Sequence, residues 1–246
     1  MQLDLDPPWL VADFGAPLRV LGWTINRPGF ASARRVVWRE VRGADLRPGL
    51  DPAAWIAGEL AGRGLGDAPA LLTSRPLRHH VLRRAEVGGA VVDCLATVGL
   101  SNGERVGTRR QAGQGLWGTI NLAARISTPL SEGALVEALS IAVEARTAAV
   151  MEAAPRALGA AATPVASPRD GPVTAPITGT GTDCAVVAAP PGAGAYAGLH
   201  TPLGEALGRA VYAAVRQGAD DWWAEIGRLD GWRPQPRRPA PPEAAG

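Results

Sequence analysis

Leu18-Arg19-Val20-Leu21-Gly22-Trp23-Thr24 runs into Ile25-Asn26-Arg27-Pro28-Gly29, and a few residues on comes Arg35-Val36-Val37-Trp38-Arg39-Glu40-Val41. The flanking runs are rich in branched and aromatic residues and read as strands, while Asn, Pro and Gly crowded between them read as a turn. A connection this short cannot carry a parallel crossover, so the two strands pair antiparallel. That excludes a doubly wound start and points to an α+β fold: a mixed, mostly antiparallel sheet with helices packed on one face, in a single globular domain. Trp9 to Phe14 reads as a further short strand, set off from Leu18–Thr24 by Gly15-Ala16-Pro17.

Downstream, Asp51-Pro52 is a helix entry, with Asp as cap and Pro in the first turn, and the helix runs to about Ala61. Ala70 to Ser74 is a short apolar strand, and Arg75 to Arg84 reads as a basic helix carrying His79 and His80 on a solvated face. Gly89 to Gly99 is the longest β-type run and empties into Leu100-Ser101-Asn102-Gly103. Arg105 to Gly115 is a polar, Gly-rich loop, and Leu116 to Ile126 alternates as a strand. Ser131 caps a long helix from Glu132 to about Ala154, whose Leu135, Leu139, Ala142 and Val143 keep an apolar stripe for the sheet. Ala157 to Pro176 reads as loop. Thr201-Pro202 opens the last strong helix, to about Arg216. The folded domain is placed at 1–218, a Trp-rich arm at 219–232 and a disordered Pro-rich tail at 233–246.

Composition removes several function classes. The chain has 246 residues and a net charge of only +2, with no basic patch of the kind that nucleic acids need. All 25 basic residues are Arg. Without Lys there is no Walker-type phosphate loop, no Schiff base and no Ser–Lys dyad. Cys94 and Cys184 each sit in an apolar run, as reduced, buried thiols of a cytoplasmic protein. Three scattered His and no C-x-x-C give no zinc pattern. No apolar run reaches membrane length and no leader is visible.

The chemistry is concentrated in Thr178-Gly179-Thr180-Gly181-Thr182-Asp183, which leads directly into the apolar Cys184–Ala189. Glycines allow close backbone approach, and hydroxyls and N–H groups can then face an oxyanion or a carbonyl. The plain alternative is a hairpin with solvated hydroxyls. Further on, His200 stands just before a helix N-terminus, as a general base or as a cap. Asn102 can donate to a carbonyl or simply occupy a left-handed turn position, and Asp183 can orient His200 or cap the Thr/Gly turn.

Four segments together resemble the adenosylcobinamide amidohydrolases of corrinoid salvage: Thr97-Val98-Gly99-Leu100-Ser101-Asn102, Gly118-Thr119-Ile120-Asn121, Glu144-Ala145-Arg146-Thr147, and Thr178–Asp183 followed by Tyr196-Ala197-Gly198-Leu199-His200-Thr201-Pro202-Leu203-Gly204-Glu205. The chain departs from that pattern at Leu199, where members often carry Lys, and at Cys184. The resemblance implies hydrolysis of the amide joining aminopropanol to the corrin ring, with adenosylcobyric acid as product and no metal or other cofactor. It implies a corrinoid small molecule as partner; charge and run length already argue against a nucleic acid or a membrane, and a homo-oligomer stays open. The catalytic candidates are His200, Asn102, Glu144 and Asp183, with His200 or Glu144 as base and Thr180 or Thr182 as a conceivable nucleophile. Asn26, Ser101, Asn121, Thr180, Gly181, Thr182 and Glu205 are the candidates for substrate binding. A non-catalytic corrinoid-binding protein on the same scaffold is the alternative.

Overall fold

The computed structural model describes residues 1–107, 118–157, 165–167, 171–173 and 177–226. In chain order the elements are β1 (Gln2–Asp6), β2 (Trp9–Trp23), β3 (Pro28–Glu40), α1 (Pro52–Gly62), β4 (Ala70–Thr73), a 3-10 turn (Leu77–His79), β5 (Val81–Val87), β6 (Ala90–Val98) and β7 (Gly103–Glu104). They continue with β8 (Ile120–Ile126), α2 (Glu132–Ala157), β9 (Val165–Ser167), β10 (Gly171–Val173), β11 (Gly179–Thr180), β12 (Cys184–Ala189) and α3 (Pro202–Ile226). Eight strands form one mixed sheet in the order β4-β3-β2-β12-β8-β6-β5, with β1 on β2. Two two-stranded ribbons, β9–β10 and β7–β11, complete the strands among the described residues. The α+β class and the single domain follow.

The hairpin expected at Asn26–Gly29 is present, and Leu21 faces Phe30 across an antiparallel ladder. Asn26 fixes what comes next: its Nδ2 donates to the Ala68 carbonyl and its Oδ1 accepts from Ala70 N, both at 2.9 Å. This stitches the turn to the entry of β4, which then lies parallel to β3. Upstream, the two expected short strands are one, β2. Gly15-Ala16-Pro17 forms a register shift between Asp13 and Leu18 with Gly15 at φ +86, not a break. Pro17 is tolerated because β1 pairs only to Asp13 and β12 only from Arg19, so no ladder bond is asked of it.

The basic helix expected over Arg75–Arg84 does not form. A 3-10 turn is followed by β5, which pairs antiparallel with β6 across Gly88-Gly89, both glycines at positive φ. A two-residue Gly-Gly loop favours a tight hairpin, and it overrides the weak helical pattern before it. Within Ala157–Pro176, expected as loop, the described residues include the β9–β10 ribbon. Of the loop expected over Arg105–Gly115, residues 108–115 lie outside the described residues, as do Leu116 and Trp117 of the next expected strand.

Asp51 caps α1 by accepting from Ala53 N at 2.9 Å, and Ser131 Oγ accepts from Ala134 N at 3.2 Å at the start of α2. α2 and α3 cover one face of the sheet over Val92, Cys94, Ile120, Leu122, Ala185 and Val187. Ala138 and Ala142 of α2 and Ala206 and Ala210 of α3 keep the two helices close. α1 covers the same face at the β3–β4 edge, over Val37 and Ala70. The other face coils onto itself, so that Leu95 of β6 shares one cluster with Leu71 of β4. α3 continues past 218 and carries Trp222 and Trp223, buried and packed edge to face with centroids 4.6 Å apart. Trp232 and the tail at 233–246 lie outside the described residues.

Candidate active site

Two segments far apart in the chain meet at one end of this sheet. β6 runs out through Gly99–Asn102 into β7, and β7 pairs with β11, Gly179 opposite Glu104 and Thr180 opposite Gly103. Thr178 clamps the join: its N–H donates to the Glu104 carbonyl and its Oγ1 accepts from Val106 N, both at 2.8 Å. Thr119, entering β8, donates its hydroxyl to the Thr182 carbonyl at 2.8 Å, and the Thr182 hydroxyl donates to the Gly118 carbonyl at 3.0 Å. Gly118 leaves no room for a side chain, since a Cβ there would lie 2.6 Å from Asn102 Oδ1 and 2.8 Å from Ser101 Oγ.

Asp183 is the hub. Its Oδ1 accepts from Ile120 N at 2.9 Å and from the Thr180 hydroxyl at 2.5 Å. Its Oδ2 accepts from Thr180 N at 2.9 Å and lies 3.0 Å from Arg146 Nη1 of α2. The Asp183 side chain is 6% exposed and that of Arg146 12%. Burial pushes the Asp183 carboxyl above its ordinary pKa; the Arg146 guanidinium and the bonds from Thr180 and Ile120 pull it down without cancelling the desolvation. A carboxylate raised in this way is a stronger base. It forms the floor of an open pocket of about 270 Å³, lined by Trp23, Arg105, Val106, Arg146 and Thr180 among others. The Trp23 indole N–H donates to the Asp183 carbonyl at 2.7 Å.

Of the residues expected in a site, Asp183, Thr180, Gly181, Thr182, Ser101, Asn102 and Asn121 come together at this end. Asn102 Oδ1 is buried and has no hydrogen-bond partner among the described residues. Asn121 is buried, donating to the Leu72 carbonyl at 2.7 Å, with its Oδ1 3.2 Å from Thr119 Oγ1. The others lie elsewhere. Asn26 is occupied by Ala68 and Ala70. Glu144 is solvent-exposed and accepts from Ser140 Oγ at 3.2 Å. Glu205 pairs with Arg209 on the exposed first turn of α3.

His200 is exposed at the opposite end of the sheet. β12 starts beside Asp183 and ends at Ala189, six residues or about 20 Å away. The chain then passes under α2, where Ala197 N donates to Glu137 Oε2 at 2.6 Å. Pro202 meets the β5–β6 turn, where a Cβ on Gly88 would lie 2.9 Å from it. Thr201, not His200, caps α3, its Oγ1 accepting from Gly204 N at 2.9 Å.

Arg146 is the residue that sequence reasoning passed over. It lies in Glu144-Ala145-Arg146-Thr147, and the helical period carried the signal. Residue 146 is four positions from buried Ala142 and three from buried Ala149, whereas 144 is rotated about 200° away from it. Burial pushes the Cys184 thiol up to about 12 and the Cys94 thiol higher, so neither is a thiolate at neutral pH. Among the described residues no three His, Cys, Asp or Glu side chains converge on a metal position, and no helix is long and apolar enough to cross a membrane.

A family model described as adenosylcobinamide amidohydrolase matches residues 2–226. No curated protein matches the chain.

Proposed function

We propose for this chain, which belongs to the adenosylcobinamide amidohydrolase family, hydrolysis of the amide that joins aminopropanol to the corrin side chain of adenosylcobinamide, giving adenosylcobyric acid. One observation carries the residue assignment: the Thr180 hydroxyl lies 2.5 Å from a buried carboxylate of raised pKa on the pocket floor. Nucleophile and base are within reach, and Arg146 holds the base in place. The Thr180 oxygen attacks the amide carbonyl and its proton passes to Asp183. As the C–N bond breaks, Asp183 returns that proton to the departing amine. Water then cleaves the ester with Asp183 again as base, which releases the acid and restores Thr180. The pocket admits the aminopropanol arm, and the bulk of the corrinoid stays at the mouth. The two free cysteines fit a reducing cytoplasm.

The test is incubation of purified protein with adenosylcobinamide, following free aminopropanol and the new corrinoid carboxylate by anion exchange. Turnover is expected. Thr180→Ala and Asp183→Asn should each lower kcat by roughly a thousand-fold or more, while Thr180→Ser keeps a measurable fraction. Tight binding with no aminopropanol released would leave a corrinoid-binding protein instead. Full turnover by both Thr180→Ala and Asp183→Asn would move the chemistry away from this carboxylate.

A further inference from the structure

We propose that Trp23 is the platform on which the adenine of the substrate's adenosyl group stacks, and hence the residue by which the pocket tells adenosylated corrinoids from those lacking the nucleoside. The inference rests on the corrinoid reading above. Trp23 ends β2 at the pocket mouth and is 42% exposed. Its polar edge is consumed inward, since the indole N–H is held by the Asp183 carbonyl at 2.7 Å. The strand beneath it is pressed against β12, because Gly22 lies so close to the Ala185 carbonyl that a Cβ would sit 2.5 Å from it. The ring is therefore pinned at one edge and carries no hydrogen-bonding demand toward solvent. Val106, 80% exposed, adds a second apolar surface to the same pocket. A fixed aromatic face beside a polar floor suits a substrate that lays a flat π system at the mouth while a separate arm reaches inward.

The substrate offers two flat systems. The corrin macrocycle carries axial groups on both faces and cannot lie flush on an indole. The adenine of the upper axial group has a free face, and base-on-aromatic stacking is tolerant of the exact approach. Trp23 thus ties recognition of the adenosyl group to the carbonyl of the residue that supplies the base.

Equilibrium dialysis of the full chain against adenosylcobinamide and against cyanocobinamide, which lacks the nucleoside, reads this directly, with Thr180→Ala present throughout the dialysis so that the substrate is bound without being consumed, and with the wild type here meaning Trp23 intact. The wild-type protein should favour the adenosyl form by about 5- to 150-fold, the span that stacking of one base provides. Trp23→Ala and Trp23→Leu should bring the ratio of the two dissociation constants to near one. Trp23→Phe, which keeps a ring but loses the indole N–H, should retain most of the preference. That separates stacking from the bond to Asp183, with circular dichroism confirming the fold of each variant. A wild-type ratio near one, a ratio unchanged in the Ala and Leu variants, or no binding of either corrinoid overturns the platform. An unchanged ratio alongside normal aminopropanol release sinks the platform alone. A ratio that collapses as expected in a protein releasing no aminopropanol keeps the platform and sinks the hydrolase.

Discussion

Removing Arg146 tests the central electrostatic argument. Arg146→Ala leaves Asp183 buried, still bonded to Thr180 and Ile120 but without its counter-charge. Losing one partner of a buried pair costs about 3–5 kcal/mol when the remaining group is ionised. A domain of 150–250 residues loses about 2–4 °C of Tm per kcal/mol, so the variant should melt roughly 6–20 °C lower at pH 8. The pH dependence carries the sign. Asp183 has its pKa raised on folding, so between its unfolded and folded values the native state binds a proton that the unfolded state does not. Its contribution to stability therefore falls as pH rises through the folded pKa, and is restored as pH drops toward the unfolded one. Without the downward pull of Arg146 the folded pKa rises further, so the deficit of the variant is largest at alkaline pH and shrinks on acidification.

Urea unfolding of wild type and Arg146→Ala at pH 8 and pH 5, compared at constant m, gives the two differences. The Arg146→Ala/Asp183→Asn double variant closes a cycle, and a coupling of about 1–3 kcal/mol is expected at pH 8. Activity should follow the same logic: the acid limb of kcat/KM belongs to Asp183 and moves to higher pH in Arg146→Ala. A deficit below about 1 kcal/mol at pH 8 would refute the reasoning, because pairs worth that little are solvent-screened ones. A deficit equal at both pH values, or larger in acid, would do so too.

His200→Ala should keep kcat/KM within about twofold, as for an exposed residue remote from the chemistry. A loss of roughly a hundred-fold or more, the scale of a missing acid or base, would return His200 to the mechanism. Gly118→Ala should destabilise by about 1–3 kcal/mol in thermal or urea unfolding and lower turnover, because a Cβ 2.6 Å from Asn102 Oδ1 and 2.9 Å from the Gly99 carbonyl forces backbone and site apart. Wild-type stability in that variant would mean that the Ser101-Asn102 turn is not held against Gly118.

Much of the fold was legible because its decisive signals are local. Asn26–Gly29 gives a hairpin on chain length alone, Asp51-Pro52 and Ser131 cap helices where caps are expected, and β6 is a long branched run. The misreadings arose where a local pattern competed with pairing. Arg75–Arg84 has enough helix formers to look helical, yet Gly88-Gly89 joins Val81–Val87 to β6 as a hairpin. Gly15-Ala16-Pro17 looks like a break, yet no neighbour needs its N–H groups there. The candidate site was legible as two small-residue turns at strand ends, and the structure brings Thr178–Asp183 and the Ser101-Asn102 turn together. What sequence hides is direction: nothing between Asp183 and His200 states that the intervening strand carries the chain to the far end of the sheet.

That direction separates two tasks that sit side by side in the sequence. At one end of β12, Asp183 gathers β8, β11 and α2 around a charge the interior does not favour, and Gly179 is bare because a Cβ would collide with Asp183 Oδ2. At the other end, Glu137 holds Ala197, a Cβ on Gly198 would lie 2.6 Å from Glu137 Oε1, and Thr201 caps α3. These contacts fix where α3 starts, and α3 packs on β5, β6 and α2 for its whole length. The Gly-x-His-Thr segment is thus a clasp that sets the position of the helix layer. Arg146 belongs to α2 as Glu137 does, so one helix meets both ends of β12: Glu137 holds Ala197 at the far end, and Arg146, nine residues on, pairs with Asp183 at the near one.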